Sequence, residues 1–234
     1  MKRGDQYKCH LIIDLQTILE PLNSDDEQTM LFPVFLITHE LAHVDDFSSL
    51  YPVLKAANSL SFMEMWLFRA SQPTWSEYFA SYKSAATLPS QINNLVDNFL
   101  SAVRQVPNEL RQEIDSYRLH GDIERLADLT ANRAGLLFKF AGYVIGHLAG
   151  LKISASDLRS EFLESIDGAG LRQVWDRLSN ALAELHETHK QWGSLDVFRP
   201  LNTVLFDYLE TVGIELSDEN GGMYVNVPQR EDGD

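Results

Sequence analysis

Residues 39–43 read His-Glu-Leu-Ala-His, and this run constrains the chain more than any other feature. On a helix, positions i and i+4 lie on one face, one turn apart. Two imidazoles placed there can reach one ion at the roughly 2 Å that zinc requires. Glu40 adjoins the first imidazole, where its carboxylate can take a proton from a water held by the metal. At this composition the pattern H-E-x-x-H arises by chance in roughly 1% of such chains. The motif demands a helix, and its surroundings predict one. Ser24 with Glu27 fits a capping box, and the apolar run MLFPVFLI follows it. Pro33 has no amide proton to give to a helix interior. The helix therefore kinks at Pro33 or starts there with the proline in its first turn. Either way, Val34 to Asp46 is predicted helical.

A catalytic zinc site keeps three protein ligands and one open position, so a third donor is needed. Asp46 shares a helix face with His39, but seven residues of helix span about 10 Å, too far for one ion. No glycine follows His43 to turn the chain back toward the metal. Asp45 and Asp46 read instead as carboxylates that orient imidazole N–H groups, or as solvated residues at a helix end. Glu77 is the stronger candidate. It lies in PTWSEYFASYKSA, a second helix rich in aromatic and small residues. Thr74-x-x-Glu77 is itself a capping-box pattern, so Glu77 reads either as a ligand or as a helix-start cap.

The rest of the chain reads as mainly α, an α+β protein with a small β element. YKCHLIIDL at 7–15 is β-branched and apolar and predicts a strand. Further helices are expected near 51–69, 75–86, 90–105, 108–119, 121–150, 156–165, 169–190 and 198–212. The Pro-Thr pair at 73–74 and Gly121 read as turns. GIELSDENGGMYVNV predicts a hairpin around Asn220-Gly221-Gly222. The organisation expected is a metal-binding core over 1–120 with a helical extension over 121–228 packed on it, or one single domain. The charged residues 229–234 are expected to be a disordered tail.

Composition narrows the partners. The net charge is -15 over 234 residues. That argues against a nucleic-acid footprint, which needs a basic patch, and against docking on an anionic membrane surface. Cys9 is the single cysteine, so no internal disulfide is possible, which fits a reducing compartment. Cys9 has no activating partner nearby in sequence. The N-terminus lacks the apolar run of a secretory signal. The longest apolar stretch, Ala134 to Leu151, is interrupted by Lys139 and His147 and reads as a buried core helix. A cytoplasmic protein is expected.

Other histidines read more plainly. His186 and His189, in LAELHETHK, predict a solvated helix face. His147 lies in YVIGHLAGL beside glycines at 142, 146 and 150, a stripe that suggests a close helix contact. It reads as a core histidine bonded to a carbonyl. Neither G-x-S-x-G nor a P-loop is present.

HELAHVDDF followed by SEYFAS resembles the gluzincin metallopeptidases. It is similar in particular to the anthrax lethal factor catalytic domain and the Mlc titration factor A peptidases. Those share an HExxH helix, acidic residues just after it, and a downstream glutamate followed by aromatic residues and alanine. The resemblance implies zincin-like active-site helices and a Zn2+ ion held by His39, His43 and Glu77. It further implies Glu40 as general base and a peptide or protein as substrate. It covers only residues 31 to 86. Lethal factor has a catalytic tyrosine shortly before its glutamate, whereas LFRASQPTW has none here. Tyr78, Tyr82, His120 and His147 are then the candidates for stabilising an oxyanion. A competing resemblance is that of DLTANRAGLL to the glutamate-bearing segment of the HtpX-like peptidases. It implies Asp128 as third ligand with Asn132 beside it, although Asp and Asn stand where that group usually has Glu and Asp.

Three functions are compatible with this reading. The first is a soluble zinc metallopeptidase, with the strand at 7–15 offering its edge to an extended substrate. The second is a non-catalytic zinc-binding regulatory or interaction module. The third is a partner-dependent effector whose helical C-terminal half selects one protein target, the acidity favouring a basic target or a basic cleavage site.

Overall fold

A computed structural model describes residues 9–56 and 60–228. The order of elements is α1 (Leu15–Leu22), α2 (Glu27–Ala56), α3 (Phe62–Ser84), α4 (Ile92–His120), α5 (Ile123–Leu151), α6 (Ser160–Gly168), α7 (Arg172–Glu187), α8 (Arg199–Thr211), β1 (Glu215–Glu219) and β2 (Gly222–Asn226). The fold is mainly α with a small β element. The expected disordered tail at 229–234 lies outside the described residues.

Helix ends follow local chemistry. The Asp26 carboxylate accepts from the amide of Thr29 at 2.8 Å and caps α2, while Ser24 accepts from the Asp26 amide at 3.1 Å. The expected Ser24–Glu27 box is therefore replaced by an aspartate cap two residues later. Pro33 neither starts α2 nor ends it, since the helix runs on through Pro33 and Pro52. A capping box of Ser61 and Glu64 starts α3. That helix then passes through Pro73 without a break, so the expected turn at 73–74 is absent and Glu77 is not a cap. Likewise α4 is continuous through Pro107. An interior proline costs a helix about 3 kcal/mol. Burial of Leu67, Phe68, Trp75 and Tyr78 in α3, and of Leu95, Phe99, Val103, Val106 and Leu110 in α4, outweighs it.

The predicted strand at 7–15 is not found among the described residues. Residues 9–14 have no regular structure and Leu15 opens α1; residues 7 and 8 lie outside the described residues. A strand needs a partner ladder, and Leu11 and Ile12 are left exposed. The C-terminal hairpin pairs with itself, Glu215 opposite Asn226 through Glu219 opposite Gly222. Asn220 and Gly221 both take positive φ, 54° and 82°, the two left-handed residues of a type I′ turn.

The most extensive packing in the molecule is α3 on α5. The two helices run parallel, because α4 carries the chain back between them. A methyl group built on Gly142, Gly146 or Gly150 would collide with the carbonyl oxygens of Thr74, Tyr78 and Tyr82, so the backbones touch there. At Gly135 the fit loosens, with 3.0 Å to the carbonyl oxygen of Ala70. Toward their N-termini the helices separate. By length and composition α5 could cross a membrane. Just over half of that apolar stretch, 56%, is buried against the rest of the chain, and its half-buried Lys139 is ion-paired with Glu77. One apolar cluster runs from Ala42 to Val225, continuous through residue 120.

Candidate metal centre

His39 and His43 lie one turn apart in the middle of α2, and Glu77 projects from α3 packed across it. Their donor atoms converge. His39 Nε2 is 3.1 Å from Glu77 Oε2, His43 Nε2 is 3.3 Å from the same oxygen, and the two Nε2 atoms are 3.2 Å apart. Donors on a tetrahedral ion with bonds near 2.05 Å lie about 3.3 Å apart, so the three atoms fit three corners of a zinc site. Two imidazoles and one carboxylate also match zinc's preference better than that of magnesium or calcium, which favour oxygen alone. His39 and Glu77 are buried and His43 is half-buried.

The surroundings orient these donors. His43 Nδ1 lies 2.9 Å from Ser76 Oγ, which can accept its proton and leave the Nε2 lone pair facing the centre. His39 Nδ1 is buried with no hydrogen-bond partner among the described residues. Lys139 Nζ sits 3.0 Å from Glu77 Oε1, on the oxygen that the histidines do not use. Burial opposes the Glu77 carboxylate, yet hydrogen bonds from His39 and His43 outweigh it and hold the group well below the usual carboxylate range. Burial also opposes the His43 imidazolium, but its hydrogen bond to Glu77 and the nearby carboxylates raise its pKa above the ordinary value. Glu40 is half-buried one residue after His39, and its charge reaches both His43 and Tyr143.

Tyr143 of α5 is the residue that the sequence did not single out. Its ring stacks on His39 at 5.7 Å with 16° between planes, and its hydroxyl faces the Glu77 carboxylate. Burial, then the charge of Glu77, pushes the phenol well above its ordinary value. A signal was present. Lys139, Tyr143 and His147 recur every four residues beside the glycine stripe, so they lie along the side of α5 next to its contact with α3.

The other candidates lie elsewhere. Tyr78 hydroxyl meets His186 Nδ1 at 3.1 Å, and the Tyr82 ring packs on His186 at 4.2 Å, both toward α7. His120 is exposed at the end of α4, where its Nδ1 accepts from the Asp122 amide at 2.9 Å. His147 donates from Nε2 to the Pro89 carbonyl oxygen at 3.2 Å, with its ring against Phe35. Asp128 and Asn132 are exposed on α5, and the metal-ligand cluster contains neither. Asp46 is buried and accepts from the Trp75 indole at 2.7 Å, while Asp45 pairs with Lys190 at 2.8 Å. Neither is hydrogen-bonded to a motif imidazole, and α2 continues for ten residues beyond Asp46 to Ala56. The expected solvated face at His186 and His189 is corrected too. Both rings pack on Trp75 and Phe79, and that of His186 also on Tyr82.

No family model, curated protein or solved structure matches this chain.

Proposed function

We propose that this chain is a zinc-dependent peptidase of gluzincin type in which His39, His43 and Glu77 hold the ion and Glu40 is the general base. The observation that carries this reading is the convergence of three donor atoms at 3.1, 3.2 and 3.3 Å, with the motif glutamate beside them. Zinc bound there would polarise a carbonyl and make a water acidic enough to attack near neutral pH. The Glu40 carboxylate takes the proton of the attacking water and hands it to the leaving amine. Tyr143, a phenol that is neutral at physiological pH, offers its O–H to the developing oxyanion. Lys139 and Ser76 keep Glu77 and His43 in place while this happens.

The test is Glu40→Gln. Zinc content should stay at one per chain while cleavage of a peptide pool disappears; retained turnover would rule the mechanism out. A second reading has one observation in its favour. Among the described residues neither strand of the hairpin contributes a residue to the cluster, so the sheet they form supplies no part of the site. On that reading the chain is a non-catalytic zinc-binding module. One zinc per chain with no cleavage of any peptide by the unaltered protein would select it.

A further inference from the structure

A peptidase without a sheet edge at its centre must grip its substrate by other means. Where α3 and α5 separate, they leave a groove of about 460 Å³, with Trp66, Arg69 and Pro73 on one wall and Asp128, Asn132 and Lys139 on the other. The small residues Ala70, Ala131 and Gly135 also line it. Lys139 stands at one end, and its ammonium lies 3.0 Å from Glu77 Oε1, so the groove ends at a residue that touches the candidate centre. From Asp128 to Lys139, eleven residues of α5 rise about 16 Å. An extended peptide advances about 3.3 Å per residue, so the length suits four or five residues.

Each wall carries one charge outside any ion pair among the described residues, and the two are opposite in sign. Arg69 on α3 and Asp128 on α5 are both exposed, and neither forms an ion pair among the described residues. A segment lying between them meets a cation on one side and an anion on the other. In a chain of net charge -15, such an uncommitted pair across one groove is a local departure from the general acidity.

We propose that the α3–α5 groove holds the substrate on one side of the bond to be cut, as an extended peptide whose basic side chain meets Asp128 and whose acidic side chain meets Arg69. The proposal rests on the peptidase reading and supplies its specificity. Side chains then do what a strand edge would do through backbone hydrogen bonds.

The experiment uses a pool of random decapeptides and the full zinc-loaded chain. Cleavage products of the unaltered protein and of Arg69→Glu, Asp128→Lys and the double exchange are read by mass spectrometry. In parallel, peptides retained by immobilised Glu40→Gln protein, with and without the same exchanges, are identified. Both exchanged residues are exposed, so folding should survive, and circular dichroism checks it. Each single exchange should cost about tenfold in the preference at its own subsite, and the double exchange should swap the two preferences. Cleavage with an unchanged profile overturns the groove and leaves the peptidase. Charge-dependent retention without cleavage by the unaltered protein leaves the groove and overturns the peptidase. Neither retention nor cleavage overturns both.

Discussion

Among the described residues two histidine pairs lie close in sequence, and only one of them gathers metal donors. His39 and His43 are four residues apart within α2, and both Nε2 atoms meet one carboxylate from α3. His186 and His189 are three apart, and α7 ends between them at Glu187. Trp75 and Phe79 pack on both rings and Tyr82 on that of His186, with His186 meeting the Tyr78 hydroxyl and His189 lying 3.5 Å from Asp46. The lesson concerns the neighbouring helix more than the spacing. Glu77 and Phe79 stand two residues apart on α3, yet the first turns one pair into a cluster of donors and the second packs the other pair, half-buried, into a group of aromatic rings.

The sharpest way to break this contrast is metal analysis. His39→Ala should drop zinc from one per chain to trace, whereas His189→Ala should keep the zinc and lower the melting temperature instead. Equal zinc loss in both variants would erase the distinction. Next in size, Tyr143→Phe should lower kcat by about 10²- to 10³-fold, the usual cost of one oxyanion donor, with zinc content unchanged. Tyr78→Phe, on the side of the other pair, should leave kcat near its starting value. Smaller again, Ser76→Ala should weaken zinc affinity by about 10- to 100-fold, as the loss of a hydrogen bond behind a ligating imidazole does; competition with a chelator measures it.

Acidity gives the finest comparison, made on metal-free protein. Glu77 is depressed, so its stabilisation is complete above the ordinary 4.5 of a glutamate and is lost as pH falls through its lower folded value. His43 is raised, so its stabilisation is complete below the ordinary 6.5 of a histidine and is lost as pH rises through its folded value. The ion pair should therefore stabilise most between about pH 5 and 6.5. The denaturation midpoint in excess chelator should peak in that window, and Glu77→Gln should flatten the peak. His186 is lowered, first by burial, so its exchange should not reproduce the flattening.

These contrasts also mark how far the residues could be read unaided. The helix carrying His39, Glu40 and His43 was legible because the motif works only at helical spacing. Glu77 was legible as one of two readings, and α3 removes the cap reading by running through Pro73. Tyr143 and Lys139 were not legible as parts of the site. They meet Glu77 only because α4 returns the chain so that α5 lies along α3, a contact more than sixty residues distant. Local pattern also misled at Leu11 to Ile13, where β-branched residues predicted a strand but no partner strand is present among the described residues. Single prolines misled in the opposite sense, since Pro73 and Pro107 sit inside helices whose buried faces continue on both sides.

The backbone contact at Gly142, Gly146 and Gly150 carries a consequence for any shortened form of the protein. A fragment ending at residue 120 would retain all three candidate zinc donors and the proposed general base, and would look complete by its motif alone. It would nonetheless strip the Glu77 carboxylate of its ammonium, remove the Tyr143 ring that lies flat on His39, and bare the strip of α3 that now rests on glycine. Grasp of the ion and competence for chemistry would thereby come apart, the first residing in the N-terminal helices and the second returning only with α5.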